Sequence, residues 1–394
     1  MKLFAQHGYA EGNKIIEGLT AEFIDGVVFS PKDIKPDRLL ERIQEVQDAS
    51  SRAEVFFDPQ IYAAMITNDP RAKIGNLEEY NIYFSPLTKN RLEIEKNVIS
   101  VLRKTVTFET ELGVSTILAP NILISRSFDS REATISNTFI RLAKDVTAKV
   151  NEDLPVYATL AVSRDTLTNP LELQEFLNDI TSVDSPPDGL YLIVSARNSE
   201  TRLDIFNSDV IAGWLLLNYT LKVNGFKVIN GYSDILTPFL GAVGGDAGST
   251  GWWSNLRTFS MERFLPTLTG GRQPIPRYLC NSLLNRIRFD EYQSWKEFVP
   301  EIRNGIETDN FYEDEPERSK EVLQSWEAIK TLCNSLVRRN VTSSLRLCED
   351  AIENAVEYYS RIQSTGLRPD PKSNDEHLEP LNEGIRSFRR IAEL

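Results

Sequence analysis

Short apolar runs alternate with helical patterns from residue 23 to residue 281, and this rhythm restricts the chain to a small set of folds. The runs at 23–30 and 54–58 stop at Pro31 and Pro59, and those at 115–119, 156–162 and 189–195 stop at Pro120, Ser163 and Ala196. The stretch 226–257 supplies two more: 227–230, and a glycine-preceded run that carries Asp246 and ends at Trp252 and Trp253. Residues 277–281 read as the eighth. Helical spacing fills 35–47, 91–111, 131–150, 170–180, 208–223 and 234–242; in the first of these Leu39, Leu40, Ile43 and Val46 share one face. Strands that alternate with helices build a parallel sheet covered on its faces. Eight such strands close a TIM-like (β/α)8 barrel, an α/β fold. An open doubly wound sheet is the rival, and the strand count and length favour the barrel.

After residue 300 the pattern changes. Residues 301–320 hold seven acids and three bases and read as a solvated connection. Helical patterns at 317–339, 343–363 and 377–392 follow. The expected organisation is a barrel over 1–300 and a C-terminal helical module over 301–394. The stretch 60–90, with Tyr62, Tyr80, Tyr83 and Phe84, is too long for a plain connector and is expected to be an insertion or lid over the functional face.

Composition removes several classes of function. An apolar content of 41% with 26% charged residues is ordinary for a globular protein. Residues 1–14 lack the apolar core of a signal peptide, and the most apolar helical stretch, 210–217, falls far short of the roughly 20 residues of a membrane span. Three widely spaced cysteines fit a reducing compartment. A cytoplasmic protein without membrane contact is the expectation. The two histidines, one near each end, leave no material for histidine catalysis or a histidine metal site, and neither metal nor cofactor is expected. A net charge of −13 argues against a broad basic surface but permits a local basic channel. The glycine pattern 241–251 has no Walker lysine and is no dinucleotide fingerprint, and no nucleophile elbow occurs.

Barrel active sites form at the C-terminal ends of the strands. Those ends carry Ser30, Asp58 with Gln60, Asn121, Ser163 with Arg164, Ser195 with Arg197, Asn230 with Tyr232 and Asp234, Asp246, Ser249 and Thr250, and Asn281. Each is polar because water begins there; together they describe a mouth suited to an anionic, hydrogen-bonding ligand. Asp58 follows an apolar run and is expected to be partly buried with a raised pKa, the alternative being a helix or turn cap before proline. Asp246, after two glycines, is the first choice for a functional acid, against a turn-forming role. Trp252 and Trp253 offer one stacking platform at most, since neighbours on a strand face opposite ways. Arg257 and Arg263 are candidates for phosphate contact or for surface ion pairs.

Residues 228–253 resemble part of the tRNA-guanine transglycosylase superfamily of barrels, which includes DNA-modifying deazaguanine relatives. Gly231, the helix 234–242 and the run Gly244-Gly245-Asp246-Ala247-Gly248-Ser249-Thr250-Gly251-Trp252-Trp253 carry the likeness. It places Asp246 on the family's first acid and Trp253 on its terminal aromatic. Ser249 falls where the family has its nucleophilic acid, and the zinc-binding cysteines are missing. The likeness implies a pocket for a modified nucleobase in nucleic acid and glycosylase- or transglycosylase-like chemistry at an N-glycosidic bond. The missing second acid tells against covalent base exchange, and a hydrolytic glycosylase would need only one carboxylate, Asp246 or Asp58. A role in bacterial antiviral defence is an expectation attached to that likeness alone. The contrasting readings are a non-catalytic barrel subunit that meets a protein partner through its C-terminal helices, and a metabolic enzyme for a small anionic substrate.

Overall fold

The computed structural model describes residues 1–66, 72–82, 87–266 and 274–394. Its main sheet is parallel and contains β1 (Lys2–Gln6), β2 (Gly26–Phe29), β3 (Glu54–Phe57), β4 (Ile117–Ala119), the short β5 (Leu123–Ile124), β6 (Val156–Ser163), β7 (Gly189–Ser195), β8 (Lys227–Gly231) and β9 (Ala247–Thr250). The strands lie in the order β3-β2-β1-β9-β8-β7-β6-β4, with β5 beside β6. The two ends of this order meet through Ser115. Its N–H donates to the Val55 carbonyl at 2.8 Å, and its hydroxyl accepts from the Val55 N–H at 2.9 Å. Counting β4 and β5 as one staggered strand, eight strands in chain order make a nearly closed TIM-like barrel.

The expected eight hides two corrections. The first barrel strand is β1, whose apolar centre is just Leu3, Phe4 and Ala5 between Lys2 and Gln6, too short to register as a run. Residues 277–281 are not in the barrel: β10 (Arg277–Cys280) pairs antiparallel with β11 (Asn285–Arg288) in a separate hairpin. β11 alternates between buried and half-buried positions, as a strand with one covered face does, whereas Tyr278, Leu279 and Cys280 of β10 are all buried.

Helices α1 (Lys14–Thr20), α2 (Pro36–Ala49), α3 (Lys89–Leu92), α4 (Glu95–Leu112), α5 (Arg131–Ala148), α6 (Pro170–Thr181), α7 (Ser208–Val223) and α8 (Thr237–Ala242) sheathe the strands. Caps set their starts: Ser130 accepts from the Ala133 N–H, Asn169 from Glu172 and Asn207 from Val210. The short α9 (Ser254–Arg257) and α10 (Phe289–Trp295) lead into α11 (Arg318–Leu336), α12 (Val341–Ser364) and α13 (Leu378–Ile391). α11 packs between α1 and α8, the place of the barrel's eighth helix. There Trp326 is 1% exposed and its indole N–H donates to the Thr250 carbonyl at 3.3 Å. α13 docks on α7, where a Cβ on Gly384 would stand 2.6 Å from Ile211 Cγ2. The segment beyond residue 300 is therefore welded to the barrel by packed helices. No helix among the described residues is long and apolar enough to cross a membrane.

Candidate active site

A buried polar cluster sits at the C-terminal end of the barrel. Asp58, one residue past β3, is fully buried. One carboxylate oxygen accepts from the Tyr62 hydroxyl at 2.7 Å and the other from the Gln60 N–H at 3.1 Å. Burial outweighs these bonds and the attraction of Arg263, and pushes the carboxyl up to about 6. Gln6, at the end of β1, accepts from Ser249 at 2.8 Å and from Tyr191 at 3.3 Å. Gln60 donates to Ser30 at 2.8 Å. Arg263, its side chain 2% exposed, closes the cluster from above. It donates to the Tyr232 hydroxyl at 2.6 Å and pairs with Asp33 at 2.8 Å. Tyr62 and Tyr232 flank the Phe259 ring at centroid distances of 5.3 and 5.1 Å.

The cluster is held under strain and keeps unspent hydrogen-bonding capacity. Gln60 and Tyr232 have φ of 53° and 55°, and Asp234 has 41°, a left-handed conformation that non-glycine residues adopt at a cost of roughly 1–3 kcal/mol each. The buried Gln6 Nε2 and Gln60 Oε1 have no partner among the described residues. Such orphaned groups are uncommon in interiors and mark positions that a ligand or water completes.

The expected insertion packs over this end. Tyr80 donates its hydroxyl to the Ile34 carbonyl at 3.0 Å and lies against Phe57 and Phe108. The Lys73 N–H reaches the Phe264 carbonyl, joining the insertion to the Arg263 segment. Tyr83 and Phe84 lie outside the described residues.

Several other expected site residues have structural work instead. Asp246 is at the opposite, N-terminal end of the barrel. It precedes β9, its carboxylate accepts from the Val228 N–H at 2.9 Å, and it pairs with Lys222 at 2.7 Å. Two more acids do the same: Asp25 accepts from the Leu3 N–H at 2.8 Å and pairs with Lys330, and Asp188 accepts from the Val156 N–H at 2.8 Å and pairs with Lys144. Asp246 is thus one of three acids that each tie two strand starts together, and its assignment as a catalytic acid is corrected. Asn230 points outward and bonds Trp214 at 2.8 Å and Asn218, because along β8 it is the neighbouring Gly231 that faces Tyr191 inside. Asn121 bonds Ser136 and the Thr159 carbonyl, joining α5 to β6. Arg164 pairs with Asp204 at 3.3 Å, and the exposed Arg197 with Asp165 at 2.9 Å. Asn281 donates to the Ala328 carbonyl at 3.0 Å in the hairpin region.

Beside the cluster lies a cavity of about 1130 Å³, larger than most small-molecule sites. Its floor is the ends of β8 and β9, and its roof is the β10–β11 hairpin, the start of α11 and the loop at residues 370–372. Tyr232 belongs to both this cavity and the Asp58 cluster. Asp234 sits in the wall, accepting from Thr250 at 2.7 Å and from Arg286 at 2.6 Å; the pairing with Arg286 keeps its carboxyl low against the effect of burial. Trp252 is 2% exposed, Trp253 half-buried, and both indoles donate to the Tyr9 carbonyl, at 2.7 and 3.0 Å. Trp253 also carries the Arg318 guanidinium 5.6 Å above its ring, so its polar edge and one face are engaged within the protein. Arg257 lines the cavity without a hydrogen-bond or ion-pair partner among the described residues. Sequence reading found Asp58, Gln60, Tyr232, Asp234, Ser249, Trp252, Trp253 and Arg257. It missed Gln6, whose strand was not recognised, Tyr191, which lies in the middle of a recognised strand rather than at its end, and Arg202, Arg286 and Arg318, which lie outside the assigned strand ends.

No protein-family model and no curated protein sequence matches the chain. Solved structures that resemble it include a GH3-family glycosyl hydrolase from Mycobacterium smegmatis, with 12% identity and a TM-score of 0.37 over 63% of this chain and 82% of that one. The intracellular xylanase TsXylA of Thermoanaerobacterium saccharolyticum shows 10% identity and a TM-score of 0.37 over 68% and 90%. A monomeric dihydrodipicolinate synthase variant shows 10% identity and a TM-score of 0.33 over 100% and 97%. None of these three is a transglycosylase. Likenesses this distant carry no chemistry across, and the barrel rests on its own strand pairing.

Proposed function

We propose that this protein is a barrel enzyme that hydrolyses a glycosidic bond in a small anionic substrate, in its specific form the N-glycosidic bond of a nucleotide. The observation that carries the reading is Asp58: a buried carboxyl at a strand's C-terminal end, raised to about 6 and so able to hold a proton near neutrality. In this reading Asp58 protonates the leaving group as the bond to the anomeric carbon breaks. A water oxygen attacks that carbon, and the water's surplus proton passes to solvent. Tyr62 orients the acid, and Tyr232 joins it to the cavity where the anionic part of the substrate rests. The sequence likeness to base-exchanging barrels supports the choice of bond, while Ser249, bonded to Gln6 in the barrel interior, supports hydrolysis over a covalent exchange.

Incubation with free nucleotides and with oligonucleotides carrying modified bases, followed by chromatography of released base, tests the reading. Release that falls as pH rises through about 6, and that Asp58→Asn removes, is the expected result. The absence of release from every substrate in the wild type would refute it. The complete burial of Asp58 favours a second reading, a barrel that binds an anionic ligand without turning it over; binding without release would select it.

A further inference from the structure

The charges around the cavity do not balance. Six cationic side chains line it: Arg202, Arg257, Arg277, Arg286, Arg318 and Lys372. Four carboxylates face them, each paired with one of these six; Asp370 also lies 3.8 Å from Arg288, outside the lining. Arg286 pairs with Asp234 at 2.6 Å, Arg318 with Glu321 at 2.6 Å, Arg277 with Asp370 at 3.0 Å, and Lys372 with Glu200 at 2.7 Å. Six minus four leaves two guanidiniums, those of Arg202 and Arg257. Arg202 is held by neutral acceptors, Asn285 Oδ1 at 3.0 Å and the Asn374 carbonyl at 3.2 Å, and its buried Nε has no partner among the described residues. Arg257 has none at all among them. Its charged surroundings hold Arg286 and Arg318 together with Asp234 and Glu321; burial and then the Arg286 charge outweigh the two carboxylates and bring it down to about 10, still protonated at neutral pH. A protein with net charge −13 therefore places in this cavity two guanidiniums that have no ion-pair partner of their own among the described residues. Unpaired charge in a half-buried setting costs stability, and a ligand that supplies the counter-charge offsets that cost.

We propose that this cavity binds a phosphate monoester, with Arg257 and Arg202 taking the phosphate and the apolar wall of Ile205, Phe206, Ile235 and Leu236 taking a planar body such as a nucleoside. Two surplus charges match a dianion, and guanidinium forks match phosphate oxygens better than a point charge would. The proposal deepens the glycosidic reading by naming the substrate class, and rests on that reading for the idea that the bound molecule is also the reacting one. The binding itself stands on the charge count.

Calorimetric titration with the four common nucleoside monophosphates, their unphosphorylated nucleosides and inorganic phosphate tests it. At least one monophosphate is expected to bind tenfold or more tightly than its nucleoside and than inorganic phosphate, and Arg257→Gln and Arg202→Gln are each expected to weaken it tenfold or more. Arg257→Lys should keep part of the affinity, since it keeps the charge and loses the fork. Thermal unfolding without ligand separates this from misfolding: Arg257→Gln should melt at or above the wild-type temperature. Equal binding of nucleotide and nucleoside, no binding of any monophosphate, or undiminished binding by a folded Arg257→Gln protein would overturn the proposal. Binding with no base release would leave this site standing and remove the Asp58 chemistry.

Discussion

Replacing Asp58 by Asn should make the protein more stable at neutral and alkaline pH while abolishing turnover. The Asp58 carboxyl moves from 3.8 to about 6 on folding, chiefly by burial. Two pKa units at about 1.4 kcal/mol each make about 3 kcal/mol of difference between the protonated and ionised forms. The sign follows from proton counts. Below about pH 4 the group is protonated in both folded and unfolded chains and costs nothing. Between there and about 6 the folded chain keeps the proton that the unfolded chain has lost, so stability falls as pH rises. Above about 6 the full penalty is present. Asn carries no charge, retains an oxygen for the Gln60 N–H, and presents an N–H to the Tyr62 oxygen, so the bonds Asp58 makes survive with one reversed. Urea denaturation of both proteins from pH 4 to 8 should therefore show equal stability at the acid end and an advantage for Asp58→Asn approaching about 3 kcal/mol at pH 8. Glu109, another acid raised by burial, is raised further by the Asp58 charge, so the substitution also relieves Glu109 and adds in the same direction to the difference. Loss of activity by a factor of about 100 or more should accompany the gain. A stability difference that does not vary with pH, or a variant weaker than wild type at pH 8, would refute the reasoning.

Three further perturbations separate the parts. Asp246→Ala should cost about 1–2 kcal/mol in denaturant, through the lost bond to the Val228 N–H and its lysine pair, and leave base release and nucleotide binding at wild-type levels. Arg263→Met breaks a buried pair with Asp33 and should destabilise by about 3–5 kcal/mol; since Arg263 holds the Asp58 carboxyl down, the limb of the pH–rate profile should also move to higher pH. Gly384→Val meets Ile211 and the Ser208 carbonyl, the latter 3.0 Å from the new Cβ, and should lower stability by about 1–3 kcal/mol in urea denaturation, with proteolysis reporting the release of α13 from α7.

Much of the barrel was legible because its strands are buried on both faces and read as apolar runs. What escaped was short or borrowed. β1 offers three apolar residues, and its role depends on partners that approach from β2 and β9. The 277–281 run has the composition of a strand, but a sequence does not say which sheet a strand joins, and its partner is the adjacent β11 rather than the barrel. In the site, Asp58 was legible from its place after Phe56 and Phe57. Arg286 and Arg318 were not, since the cavity they line exists only once the hairpin and α11 have folded back over β8 and β9. Asn230 was misread for a different reason: a strand's last residues alternate between barrel interior and helix layer, and a shift of one residue exchanges a ligand contact for a bond to Trp214.

The two ends of this barrel use acids in opposite ways, and the contrast carries a sequence signal. At the N-terminal end Asp25, Asp188 and Asp246 each stand directly before a strand, are followed by Gly26, Gly189 and Ala247, and are matched by a lysine. The small follower has a cause: a Cβ on Gly26 would lie 2.0 Å from the Glu54 carbonyl oxygen, and one on Gly189 2.5 Å from that of Lys227. An acid that precedes a small residue at a strand start therefore reads as a clamp between neighbouring strands. At the C-terminal end Asp58 follows its strand, has no cationic partner in hydrogen-bond range among the described residues, and is raised rather than stabilised as an anion. Around it Gln60 and Tyr232 hold unfavourable backbone angles, and Gln6 and Gln60 keep buried polar atoms unpaired. A chain selected for stability alone would relieve these costs with one substitution each. These costs beside Asp58, set against the satisfied acid–lysine pairs at the opposite end, fit the proposed division in which one face of the barrel stabilises it and the other binds and reacts.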